Sequence, residues 1–87
     1  MTERTERVVV YRTSLCPFCV AAEQLLDALG IPAQQIYLDD HPDRRGFTSS
    51  ILPGHRTVPL VIIDDRAIGG YQELRALAER GELAGLS

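Results

Sequence analysis

Residues 7–30, RVVVYRTSLCPFCVAAEQLLDALG, set a β-branched strand directly against an amphipathic helix, with two cysteines at the join. Arg7 to Arg12 is a short apolar run bounded by polar residues, the pattern of a buried strand. From Phe18 the spacing changes from continuous to helical. Phe18, Ala22, Leu25, Leu26 and Leu29 make an apolar stripe, with Glu23, Gln24 and Asp27 opposite it. Pro17 falls where a first-turn proline is tolerated, because its missing N–H would have no intrahelical acceptor. Gly30 is placed to stop the helix, with Pro32 just beyond. A buried strand running straight into a one-faced helix commits the chain to an α/β layer architecture.

The remaining segments extend that pattern. Gln34 to Leu38 is a short second strand, and DDHPDRR carries acidic and proline signals for a second helix over about Pro42 to Leu52. Phe47 and Ile51 give that helix an i, i+4 apolar pair, while Gly46 inside it costs about 1 kcal/mol against alanine. Val58 to Ile63 predicts a strong strand with its proline near the start, and a DDR turn leads into a partner strand around Ala67 and Ile68. After Gly69-Gly70, Tyr71, Leu74, Leu77 and Ala78 outline a last helix ending near Gly81, followed by a short tail, ELAGLS. The order is β-α-β-α-β-β-α: a four-stranded mixed sheet flanked by three helices. With 87 residues this makes one domain, 1–87, with residues 1–6 as a flexible polar tail.

Composition narrows the function classes. The formal charge is −3 and the basic residues form no stripe, which argues against nucleic acid as a partner. No apolar run approaches the ~20 residues of a membrane span, so no membrane association is expected. MTERTER is polar, and VVV is far too short for a signal-peptide core, so a cytoplasmic location is expected. In such a reducing compartment a purely structural disulfide is disfavoured.

Both cysteines, Cys16 and Cys19, therefore need a chemical explanation. Cys16 falls at the mouth of the first helix, where unpaired N–H groups and the helix dipole favour negative charge. Such an environment lowers a thiol's pKa and populates the nucleophilic thiolate. Cys19, one turn in, is placed to attack a mixed disulfide formed at Cys16, completing a thiol–disulfide exchange cycle. C-x-x-C beside a βαβ pattern is the redox form of this motif. A zinc site would need about four ligands, and His41 and His55 are too far apart in sequence to complete one, so no metal is expected.

With these segments placed, the sequence resembles the glutaredoxins from Val8 to about Leu86. The resemblance rests on VVVY before the cysteines, Cys16-Pro17-Phe18-Cys19, Arg56-Thr57-Val58-Pro59 and Ile68-Gly69-Gly70-Tyr71. Phe18 stands where the family usually has tyrosine. The resemblance implies a thioredoxin-like fold with Pro59 cis and facing Cys16, Cys16 as nucleophile and Cys19 as resolving thiol. It implies glutathione as the reducing co-substrate, held by Thr57, Val58 and Pro59 through backbone pairing of the strand type. Arg56, Gly70, Tyr71, Gln72 and Glu73 would line the same site. Glu73 stands for an aspartate of the family, and on its own is equally an ordinary first-turn acid.

One position departs from the pattern. Where glutathione-using members carry a lysine three residues before the first cysteine, this chain has Thr13. All nine basic residues are arginine, yet none stands at 13, and strand alternation aims Arg12 at the other face unless the strand has ended. A threonine there also resembles the mycoredoxins, which use mycothiol. The implied activity is reduction of protein disulfides and of glutathione mixed disulfides by a monomer. Its partners are glutathione and disulfide-bearing or glutathionylated proteins. The alternatives are a mycothiol-dependent reductase and a non-enzymatic carrier of a glutathione-assisted iron–sulfur cluster, which Pro17 disfavours by stiffening the loop.

Overall fold

The computed structural model describes residues 6–86. The polar tail expected over 1–6 lies, apart from Glu6, outside the described residues. Strand β1 (Val8–Arg12) leads into helix α1 (Pro17–Ala28), then β2 (Ala33–Tyr37) and α2 (Arg44–Ile51). The hairpin of β3 (Leu60–Ile63) and β4 (Arg66–Gly69) precedes α3 (Tyr71–Glu79), and a 3₁₀ turn, Ala84–Leu86, follows it. The sheet order is β2-β1-β3-β4, with β1 parallel to β2 and antiparallel to β3. The expected architecture is the one observed.

β1 occupies the middle because its three valines are apolar on both faces. Val8, Val9 and Val10 are fully buried. Val8 and Val10 pack with Val61, Ala22, Leu26 and Leu74, so α1 and α3 share that face. Tyr11 points to the opposite face and meets Phe47 of α2 edge-on, with ring centroids 5.0 Å apart. At ~25 cal/mol per Å² of apolar surface, each fully buried valine or leucine stabilises the fold by about 1.5–3 kcal/mol relative to exposure.

Several expectations need correction. The buried stripe of α1 is Cys19, Ala22 and Leu26, with Leu25 beside it, whereas Phe18 is 59% and Leu29 41% exposed. Phe18 sits on the first turn and Leu29 is the C-cap, and both lie outside the buried stripe of the helix. Helix α2 starts two residues later than expected because Asp43 is its N-cap, accepting a hydrogen bond from the Gly46 N–H at 3.0 Å. A methyl group on Gly46 would collide with that carboxylate, which accounts for a glycine inside the helix.

Val58 and Pro59 lie outside β3, which begins at Leu60. The β3–β4 loop is the two-residue turn Asp64-Asp65, with φ of 49° and 69°, the mirror-image type that fits strand twist. Within the segment expected as a short tail, residues 82–86 pack onto the fold. Leu83 is buried in the core of the α1–α3 face, and Leu86 packs against it.

Candidate active site

Chain segments from three places converge at the C-terminal end of β1 and the start of β3. The first carries the cysteines. Cys16 is the N-cap of α1 in extended conformation (φ −144°, ψ 101°), and Pro17 holds the first helical position. The Cys19 N–H donates to Cys16 Sγ at 3.1 Å, so an orphan donor of the first turn is aimed at sulfur. Helix α1 has no acidic residue in its first turn to offset the dipole. Cys16 and Cys19 are joined as a disulfide, the oxidised state of a dithiol. Cys19 is fully buried and Cys16 half-buried, so a partner's sulfur can reach Cys16 and not Cys19. Upstream, the Asp39 carboxylate accepts from the Ser14 N–H at 3.0 and 3.2 Å, anchoring the loop that delivers Cys16. That backbone bond holds the Asp39 carboxyl below its ordinary pKa.

The second segment is the cis-proline turn. The Val58–Pro59 peptide is cis, and Val58 O lies 3.8 Å from Cys16 Sγ. Val58 thus presents its backbone beside the sulfur. The third segment is Gly70 with the first turn of α3. Phe18, Thr57, Val58, Pro59, Gly70, Tyr71, Gln72 and Glu73 line one cleft of about 170 Å³, joined by His55. The rings of Phe18 and Tyr71 close one side, with centroids 6.2 Å apart. Glu73 has a prior engagement: its carboxylate accepts from the Gly70 N–H at 2.7 Å, a reach-back cap of its own helix. The first-turn-acid reading of Glu73 therefore holds, and the residue lines the cleft as well.

Arg56 and Thr13 are not in this cleft. They line a neighbouring hollow of about 280 Å³ with Arg44, Arg45, Thr57 and Val58. Thr57 and Val58 are the shared wall between the two. Arg12 takes no part. Its guanidinium is buried against α1, 2.9 Å from Glu23 and 3.2 Å from Gln35, and lies 4.8 Å above the Tyr37 ring. It shares the face of Val8 and Val10, as strand alternation requires.

Sequence reasoning missed three residues here: Arg44, Arg45 and His55. A signal for the arginines existed. They occupy the first two positions of α2, where a cation opposes the helix dipole at about 0.3–1 kcal/mol each. A basic pair at a predicted helix start is a placement that needs a reason beyond the helix. In the sequence His55 stands out only as a candidate metal ligand. Among the described residues, no group of three or more His, Cys, Asp and Glu side chains is arranged to hold a metal ion.

Comparison with known proteins agrees with this geometry. The glutaredoxin family model matches residues 8–68. The chain belongs to the glutaredoxin family. It is 38% identical over 79 residues to a glutaredoxin of Pseudomonas aeruginosa, covering 91% of this chain and 93% of that one. Against glutaredoxin-C6 of rice, Oryza sativa subsp. japonica, it is 41% identical over 81 residues, covering 91% and 72% of the respective chains. Among solved structures, a buckwheat glutaredoxin–glutathione complex superposes with a TM-score of 0.81 at 31% identity, covering 94% of this chain and 76% of that one. Like its glutaredoxin relatives, the protein is a thiol–disulfide oxidoreductase with a thioredoxin-like fold, and Cys16 with Cys19 is its redox-active pair.

Proposed function

We propose that this glutaredoxin is reduced by glutathione and acts on glutathione mixed disulfides and protein disulfides. The observation that carries the proposal is the pair of hollows sharing Thr57 and Val58 beside Cys16. Glutathione has its thiol in the middle and a carboxylate at each end. Its cysteine backbone would pair with Val58 in strand fashion. Its γ-glutamyl end would lie over the first turn of α3, where helix N–H groups favour a carboxylate and Glu73 can receive the ammonium. Its glycyl carboxylate would enter the hollow of Arg44, Arg45 and Arg56. The cation absent at Thr13 is thereby supplied from α2 and the loop after it. Mycothiol, whose cysteine carboxyl is tied up in an amide, offers these arginines no carboxylate. The buckwheat relative, solved as a complex with glutathione, supports the same reading.

The chemistry follows from placement. The Cys16 thiolate, stabilised by the Cys19 N–H, attacks the glutathione sulfur of a mixed disulfide. That sulfur–sulfur bond breaks, the protein thiolate leaves, and Cys16 carries glutathione. A second glutathione thiolate attacks the same glutathione sulfur, releasing oxidised glutathione and restoring Cys16. With a protein disulfide, Cys16 takes up one of the protein's sulfurs, and the Cys19 thiolate then attacks Cys16 Sγ. The second protein thiolate leaves, and the Cys16–Cys19 bond seen here remains for two glutathiones to reduce. We place this activity in a monomer in a reducing cytoplasm.

A recycling assay tests the proposal. Glutathione is expected to sustain turnover and mycothiol is not. Cys16→Ser abolishes both activities, while Cys19→Ser retains deglutathionylation and loses reduction of protein disulfides. Replacing Arg44, Arg45 and Arg56 with glutamine raises the KM for the glutathionylated substrate several-fold, an effect that shrinks at high salt. Equal turnover with mycothiol and glutathione would overturn the assignment of the co-substrate.

A further inference from the structure

The imidazole of His55 lines the cleft, close to the two backbone segments that form its walls. Its Nε2 lies 3.1 Å from Pro59 O. A carbonyl oxygen accepts and cannot donate, so Nε2 carries the proton in this bond. On the other side, a methyl group placed on Gly70 would lie 3.5 Å from His55 Cε1 and 3.4 Å from Pro59 O. Ring and proline carbonyl therefore both border the space that a side chain at position 70 would enter. The Gly70 N–H is turned toward Glu73, which leaves the imidazole as the donor to Pro59 O. His55 is itself held rigidly: its N–H donates to Leu52 O at 2.9 Å, and its carbonyl accepts from Ser49 Oγ at 3.2 Å. Both anchors belong to α2 and its C-cap.

We propose that His55 is a positioning residue of the active site, fixing the cis-proline turn to the end of α2 through its Nε2–H···Pro59 O bond. Pro59 is buried, and a buried carbonyl deprived of its donor carries its full desolvation penalty. Without His55 the turn shifts to seek another donor, and Val58, one residue before Pro59, shifts with it. The surface that receives the substrate's cysteine backbone then loses its register. The hydrogen bond that the reacting sulfur takes from the Cys19 N–H is unaffected, because α1 supplies it, and the turn reaches the sulfur only through the longer 3.8 Å contact with Val58 O. The inference therefore separates binding from chemistry, and it rests on the glutathione reading for the identity of what is bound.

The test compares His55→Leu, which cannot donate, with His55→Gln, whose amide can replace the Nε2–H. With a peptide–glutathione mixed disulfide, His55→Leu is expected to raise KM about tenfold, the scale for a buried group left without its partner. The turnover number and the rate of Cys16 alkylation by iodoacetamide should stay within about twofold of wild type, the signature of lost uniform binding. His55→Gln should restore KM to within about threefold. An unchanged KM in His55→Leu, or a glutamine variant as impaired as the leucine one, overturns the proposal, and so does slowed alkylation. Should His55→Leu fail to fold, ring-nitrogen NMR of the wild type decides: an Nε2–H tautomer supports the bond and an Nδ1–H tautomer refutes it. Should the wild type show no saturable use of glutathione, the parent reading fails by itself. The His55 proposal is then judged on the tautomer and on the amide resonances of Val58 and Gly70, which must move in His55→Leu and hold in His55→Gln.

Discussion

Helices α1 and α3 both begin at the cleft, and their first turns are satisfied in opposite ways. At α1 the cap is the reacting atom itself, with the Cys19 N–H donating to Cys16 Sγ and no acid in the turn. At α3 the cap position is Gly70, which has no side chain, and Glu73 reaches back from within the helix to take the Gly70 N–H. The positive end of α1 is thus left to act on a sulfur whose charge changes through the cycle. The positive end of α3 is partly neutralised by a permanent carboxylate. One helix start performs chemistry; the other shapes a surface that must stay the same while the sulfur changes state.

The two glycines before α3 offer the strongest way to break that distinction. Gly69 has φ of +122°, a region that L side chains rarely adopt, and a methyl group there would lie 2.7 Å from Glu73 Oε1. Gly69→Ala is expected to cost about 1–3 kcal/mol in strain, and to displace the Glu73 cap as well. Gly70 has φ of −100°, and its added methyl would meet its neighbours at 3.4 Å or more, an ordinary contact. Gly70→Ala should keep or slightly raise stability, by up to ~1 kcal/mol, while its methyl narrows the cleft and weakens glutathione binding. Urea melts and a glutathione titration on both variants check this. If Gly70→Ala is the more destabilised of the two, the α3 start is not the fixed surface described here.

Much of this architecture is legible in the sequence. Three consecutive valines followed by a helical stripe specify a central strand and its cover, because burial on both faces and on one face leave different periodicities. The cysteine pair was equally clear, since a strand end and a helix start placed on either side of it fix where its sulfur lies. What was hidden depended on convergence. Arg44, Arg45 and His55 come from α2 and the loop after it, and nothing local in the sequence says that they meet Thr13 and Gly70 in space. Phe18 and Leu29 satisfied the helical period yet stayed exposed, because periodicity marks a face without saying how far the covering layer extends. Residues 82–86 read as a tail because the segment is too short to show a period, and the burial of Leu83 depends on the cluster it joins with Leu26 and Leu74.

A smaller effect tests the α3 cap directly. Glu73→Ala removes the acceptor of the Gly70 N–H and is expected to cost about 1 kcal/mol. That corresponds to roughly 4–8 °C in Tm for a domain of this size. Glu73→Gln keeps an acceptor oxygen and should lose less. Neither variant should alter the rate at which Cys16 is alkylated, because the sulfur draws on α1. Differential scanning calorimetry with an alkylation time course separates the two roles. A slowed alkylation in Glu73→Ala would show that the two helix starts are coupled.

The smallest effect concerns the carboxylate that serves the α1 side from outside the helix. Asp39 holds the Ser14 N–H, and its carboxyl is held below its ordinary pKa chiefly by that backbone bond. A folded-state pKa below the unfolded one means that the stabilisation is present above the unfolded value. It is lost as pH falls through the folded value. The relevant window therefore lies below about pH 4, the ordinary range for an aspartate. Asp39→Asn is expected to lower Tm slightly near neutral pH, and the gap from wild type should close as pH drops below that window. The alkylation rate of Cys16 should fall modestly in the variant at neutral pH, because Ser14 leads the loop that sets Cys16 at the mouth of α1. Tm measured against pH for both proteins decides the matter. A gap that persists unchanged to pH 2 would mean that the charge on Asp39 contributes nothing, and that the loop before Cys16 is held by its backbone shape alone.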